Sequence, residues 1–170
     1  MNRPTAEEFN PFYAGYIATV PDDVLAELRR QQEAFPDFIG NITTAKADFA
    51  YAPGKWTIKE LLGHIIDTER IMACRALCFA RGETQGMPGF DENDYVAASH
   101  YNDRNLTSLA AEFASLRQAN LFLFESLNEE ELQRIGKAST HPVSVRALLF
   151  IMAGHVNHHE GVLKERYLND

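Results

Sequence analysis

Thr57-Ile58-Lys59-Glu60-Leu61-Leu62-Gly63-His64-Ile65-Ile66-Asp67-Thr68-Glu69-Arg70-Ile71-Met72-Ala73-Cys74-Arg75-Ala76-Leu77-Cys78-Phe79-Ala80-Arg81-Gly82 reads as one long helix with both ends marked. Thr57 and Glu60 form a capping box, in which each side chain serves the other's backbone N–H. Gly82 supplies the residue that most easily leaves a helix at its C-terminus. Between them, Ile58, Leu61, Leu62, Ile65, Met72, Ala76 and Phe79 recur at helical spacing and are the expected core face. His64 stands among those core positions.

The same reading extends outward in both directions. Pro21-Asp22-Asp23 opens an earlier helix, with acids at the positive end of its dipole. Its apolar stripe is Val24, Leu25, Leu28, Phe35, Phe38 and Ile39, and Pro36 is expected to kink or split it. Thr107 is read as the cap of a third helix reaching about Leu127, with Leu109, Phe113, Leu116, Leu123 and Phe124 inward. Asn128 to Arg134 suggests a short extra turn, and a fourth helix is expected from about Ser144 to Tyr167. The first twenty residues read as an irregular arm, and residues 82–106 as a long connection of the kind that often serves as a functional lid. No strand pattern competes. Four long amphipathic helices predict an all-α four-helix bundle in a single domain, residues 1–170.

Composition narrows the function. The chain has 170 residues, 45% of them apolar, and 16 Lys+Arg against 24 Asp+Glu give a net charge of −8. That balance, with no basic cluster, argues against duplex DNA or an anionic membrane as partner, because both are bound through positive surface. No segment approaches the ~20 apolar residues of a membrane span. Nor does Met1 to Asn10, with Glu7 and Glu8, resemble a signal peptide, so a cytoplasmic location is expected. Cys74 and Cys78 are read as reduced, packed thiols, four residues apart on one helix.

Three of the six histidines fall between positions 155 and 159. In Gly154-His155-Val156-Asn157-His158-His159-Glu160, the i and i+4 imidazoles of His155 and His159 share one helix face and continue the inward row Leu148–Met152. His158 falls to the side of that row. His64, on another helix, is the natural third nitrogen. Three imidazoles with an open position are the donor set of a catalytic zinc site, and imidazole also suits nickel, copper or iron. Spacing alone leaves a competing reading, since a buried histidine is often a hydrogen-bonded core residue with no ion.

Beyond spacing, Tyr51-Ala52-Pro53-Gly54-Lys55-Trp56, Leu61-Leu62-Gly63-His64-Ile65-Ile66-Asp67 and Glu69-Arg70 resemble the DinB/YfiT-like superfamily of small bacterial bundle proteins. The resemblance continues through Phe79-Ala80-Arg81-Gly82, Met87-Pro88-Gly89-Phe90-Asp91 and Ala153-Gly154-His155-Val156-Asn157-His158-His159, covering roughly residues 20–168. It implies an up-down-down-up bundle, often a homodimer, with a divalent metal, typically nickel or zinc, on three histidines that match His64, His155 and His159. Its members include thiol-dependent S-transferases and isomerases using bacillithiol or mycothiol, and proposed hydrolases. Many members end the last motif with Arg-Gly-Gln, where this chain has Glu160-Gly161-Val162, so any substrate contact through that Gln lapses here.

The expected function is therefore a metal-dependent enzyme acting on a small molecule, either a hydrolase or a thiol S-transferase with a low-molecular-weight thiol cosubstrate. A non-catalytic metal-binding or stress-associated bundle is the alternative. A di-iron bundle is disfavoured, because the chain has no Glu-x-x-His pair. Asp67, one turn after His64, is the first candidate general base, followed by Glu160 and Glu69; Asp67 could instead orient an imidazole or pair with Arg70 or Arg75. Trp56 is expected to anchor the capping turn in the core, and Asn157 to face outward or pack between helices. Tyr95, His100 and Tyr101 are candidates for a pocket wall, and His141 reads as a loop residue.

Overall fold

A computed structural model describes residues 1–169. Its helices are α1 (Ala14–Ala18), α2 (Val24–Gly40), α3 (Ile58–Ala80), α4 (Glu92–Ala98), α5 (Leu106–Ser126), α6 (Glu129–Gln133) and α7 (Val145–Val162). Strands β1 (Ile135–Ala138) and β2 (His141–Ser144) form an antiparallel hairpin between α6 and α7. The bundle consists of α2, α3, α5 and α7. Within it, α2 and α3 each pack against both α5 and α7.

Side-chain registers settle the helix directions. Moving along α2, Arg29 meets Glu125, Gln31 meets Arg117 and Phe35 meets Phe113, so α5 runs antiparallel to α2. Glu60 meets Asn102 and Glu69 meets Arg117 and Asn120, so α5 runs parallel to α3. His64 meets His155 and His159, while Phe79 lies against Gly136 on β1, in the hairpin that leads into α7, so α7 is antiparallel to α3. The result is an up-down-down-up bundle. Parallel neighbours cannot be joined by a tight turn, and this explains the long connection between α3 and α5.

The helix ends follow the sequence closely. Thr57 N donates to Glu60 Oε2 at 2.8 Å and Glu60 N to Thr57 Oγ1 at 3.1 Å, completing the capping box. Gly82 leaves α3 with φ +87°. Three expectations are corrected. Asn105 rather than Thr107 caps α5, its Oδ1 accepting from Ser108 N at 2.7 Å. Pro36 sits inside α2 and does not split it. The hairpin is a strand pair that periodicity missed, because two four-residue strands are too short to show a period. The arm and the connection are also more regular than expected. The arm carries two 3₁₀ turns and α1, and the connection carries α4 and a bridge from Met87 to Ala138.

Buried apolar residues form two clusters, one holding Leu28, Met72, Leu121 and Met152, the other Phe35, Ile66, Phe113 and Val156. Each bundle helix passes from one cluster to the other at a polar residue or at the histidines. At that level Arg117, fully buried, donates Nε and Nη2 to the two oxygens of Glu69 at 2.7 and 2.9 Å. Its Nη1 donates to Gln31 Oε1 at 2.8 Å, and Gln31 Nε2 donates to Ala153 O and Asn157 Oδ1, both at 2.8 Å. This layer ties all four helices together and grips α7 on both sides of His155.

Candidate metal centre

His64 projects from α3 and His155 and His159 from α7, and all three are buried. His155 Nε2 lies 3.0 Å from both His64 Nε2 and His159 Nε2, and one ring nitrogen from each residue falls within 4.8 Å of the others. The ring centroids are 4.4–5.0 Å apart. Burial pushes the pKa of His64 down to about 4 and that of His159 to about 3. His155 falls well below the ordinary histidine value through burial and through the neighbouring His159 and His64. All three imidazoles are therefore neutral at neutral pH.

Neutral imidazoles in this arrangement cannot satisfy one another. An imidazole Nε2 offers one in-plane lone pair or one N–H, so His155 Nε2 can serve only one of its two neighbours. A cation between the three uses every lone pair at once. Zinc–nitrogen bonds of about 2.0–2.1 Å, at angles of roughly 90–109°, place neighbouring nitrogens about 2.8–3.4 Å apart, a range that includes the two 3.0 Å separations at His155. His159 Nδ1 is buried without a hydrogen-bond partner, so no protein group dictates which of its nitrogens carries the proton.

Close backbone approach builds the walls. A Cβ on Gly154 would lie 2.2 Å from the Tyr16 carbonyl oxygen, so the residue before His155 must be glycine for α1 to lie on α7. Tyr16 then sets its ring 5.8 Å from His155 and 5.0 Å from His158. A Cβ on Gly63 would lie 2.1 Å from the Tyr101 ring, so the same requirement precedes His64. A cavity of about 330 Å³ opens beside His159, lined by Trp56, Asn93, His158 and Tyr167 and carrying Lys55 and Arg166.

The remaining candidates separate. Asp67 Oδ1 accepts from the Tyr101 hydroxyl at 2.8 Å and lies 3.9 Å from Arg70, so this oxygen serves the tyrosine and orients no imidazole. Glu69 is committed to Arg117. Glu160 pairs with Lys164 at 2.5 Å. Trp56 packs against the second apolar cluster as expected, with its ring 4.9 Å from His64 and lining the cavity and its carbonyl accepting from Tyr167 at 2.8 Å. Asn157 packs between helices through Gln31. Tyr95 and His100 are exposed, and neither lines the histidine cavity. His141 lies in β2 rather than a loop. Cys74 is exposed, not packed, because it faces away from both clusters, and Cys78 is half-buried.

Tyr16, Asn93 and Arg166 were not legible in the sequence as members of this site. Their only sequence signal is indirect: glycine directly before histidine occurs twice, at Gly63-His64 and Gly154-His155.

Solved structures share the fold. YfiT from Bacillus subtilis, described as a probable metal-dependent hydrolase with an unusual four-helix bundle topology, superposes with a TM-score of 0.70 at 17% identity, covering 96% of this chain and 91% of its own. The mycothiol-dependent maleylpyruvate isomerase gives 0.65 at 16% identity over 85% of this chain, which spans only 61% of the isomerase. A DinB-like protein of Bacillus subtilis, YjoA, gives 0.59 at 21% identity, over 83% of this chain and 86% of its own. No curated protein sequence matches significantly. Residues 27–163 match the model of the DinB superfamily, and with its bundle and histidine cluster the chain belongs to that family.

Proposed function

We propose that His64, His155 and His159 hold a divalent metal, nickel or zinc, and that the protein is an enzyme acting on a small molecule with water or a low-molecular-weight thiol as nucleophile. The observation that carries this reading is the convergence of three buried, neutral imidazole nitrogens whose hydrogen bonding cannot be satisfied internally. When bound, a divalent cation supplies Lewis-acid chemistry there and lowers the pKa of the nucleophile it holds. The descriptions of YfiT as a probable metal-dependent hydrolase and of the isomerase as mycothiol-dependent support both branches.

The chain's own residues do the rest. Trp56, Tyr51 and Tyr167 form aromatic walls for the substrate, and Lys55 and Arg166 at the same cavity attract an anionic group. Asp67, one turn after His64 on α3, is the base we propose to take the nucleophile's proton. Its Oδ1 is held by the Tyr101 hydroxyl, whose pKa is raised by burial and by Asp67 itself, so the tyrosine stays protonated and keeps the carboxylate oriented.

Metal analysis of the purified protein and of His64→Ala and His159→Ala tests the centre. Stoichiometric metal in the wild type and loss in both variants is expected; equal metal in all three removes the proposal. Asp67→Asn should retain metal and lose turnover. Activity panels of thiols with electrophiles, against esters and amides, divide transferase from hydrolase, and no turnover in either favours a non-catalytic bundle. We extend the proposal to a homodimer, which light scattering at the mass of one chain, 19.2 kDa, would overturn.

A further inference from the structure

Arg75 has no place in the chemistry above, yet its side chain is 95% buried, with 5% exposure. A buried guanidinium is costly to desolvate and is normally paired with a carboxylate. Among the described residues Arg75 has none. Nη2 donates to Pro88 O at 2.7 Å and Nη1 to the Met72 sulfur at 3.7 Å, a weak acceptor. The guanidinium has five N–H donors, and these two contacts engage only two of them. The ionisable groups near enough to act on it are Tyr13, Cys74 and Tyr95, none of them a carboxylate. By contrast Arg117, fully buried, meets Glu69 through two bonds.

The guanidinium borders a cavity of about 170 Å³ that shares no lining residue with the one beside His159. Met72, Leu148 and Ile151 make its apolar side. Tyr13, Ser139 and His141 bring polar side chains to it, and the Phe90 ring stacks 5.9 Å from the guanidinium carbon. An apolar cavity of about 150 Å³ takes a benzene-sized guest, so the space is sufficient for one ring and a charged group.

We infer that this cavity is a second ligand site, in which Arg75 binds the carboxylate of a small molecule whose apolar body rests on Met72, Leu148 and Ile151. Arg75 supplies the charge-assisted, bidentate geometry that a carboxylate fits. The site stands apart from the three-histidine reading and does not depend on it.

Benzoate and its uncharged isostere benzamide are the probes, and the readout is NMR of the Met72 and Ile151 methyl groups in the intact protein. Benzoate should shift both methyls saturably and bind more tightly than benzamide by roughly tenfold or more, the range of a charged hydrogen bond. Arg75→Met should abolish that preference, and Arg75→Lys should keep part of it. Methyls that do not move, or that respond equally to benzamide, overturn the inference in the wild-type protein alone, whatever the variants do. The same response in His64→Ala separates the two proposals, since loss of metal in that variant concerns only the histidines.

Discussion

Removing the Arg117 guanidinium, by Arg117→Met, should be among the most destabilising single changes in this protein. Arg117 is fully buried and Glu69 is 2% exposed, and two short hydrogen bonds join them. Without the arginine, Glu69 keeps only Asn120, which donates at 3.0 Å, and its charge is left uncompensated in the core. Breaking a buried pair from one side costs about 3–5 kcal/mol. In a chain of this size each kcal/mol lowers Tm by roughly 2–4 °C, so a drop of roughly 6–20 °C is expected. Removing both charges, as in Arg117→Met with Glu69→Met, should recover much of the loss, because an apolar pair of similar volume is often as stable as a buried ion pair. Calorimetry of wild type, both single variants and the double variant closes the cycle. A single variant within about 1 kcal/mol of wild type would mean that the layer holds no desolvated charge. The layer also bears on the site, because Gln31 passes the arginine's hold to Ala153 and Asn157 beside His155.

Two further predictions concern the histidines and their supporting glycines. In chelator-treated protein the folded state holds His64 at about 4 and His159 at about 3, against about 6.5 for an unfolded histidine. The unfolded chain therefore binds more protons in that window, so this contribution to stability is full above about pH 6.5 and falls as pH drops toward 4. Urea midpoints should decrease between about pH 7 and pH 5, before the Glu8–Arg146 pair, with Glu8 lowered to about 2, loses its share at lower pH; constant midpoints would contradict the burial of neutral imidazoles. Gly154→Ala and Gly63→Ala should each destabilise by about 1–3 kcal/mol in thermal melts, through overpacking. The first should cost more, because its clash at 2.2 Å is with the Tyr16 backbone while the second meets a tyrosine ring. Gly161→Ala, with nothing within 4 Å, is the neutral or stabilising control.

The helices were legible where their signals are local. The Thr57–Glu60 capping box, the Gly82 exit and the Ile58–Phe79 core face all depend on residues within a few positions of one another, and all appear in the structure as read. The inward position of His64, His155 and His159 was legible for the same reason, since each continues an apolar row. The β-hairpin was not, because its two strands are stabilised by pairing with each other and with Met87 rather than by any pattern of their own.

What the sequence alone determined, then, is the set of amphipathic helices, the family resemblance and the three histidines that face the core. These follow from helical periodicity and from motifs within single helices. How those residues are used follows from the packing of the helices against one another. Packing brought His64 within 3.0 Å of His155 from ninety-one residues away, and laid Tyr16 and Tyr101 on the two glycines beside them. It also assigned Glu69 to Arg117, Glu160 to Lys164 and one oxygen of Asp67 to Tyr101, and left Arg75 buried without a carboxylate. The physical reason is that charge pairing and cavity shape depend on which helices become neighbours. That is set by packing across the whole bundle and by no stretch of chain short enough to read on its own.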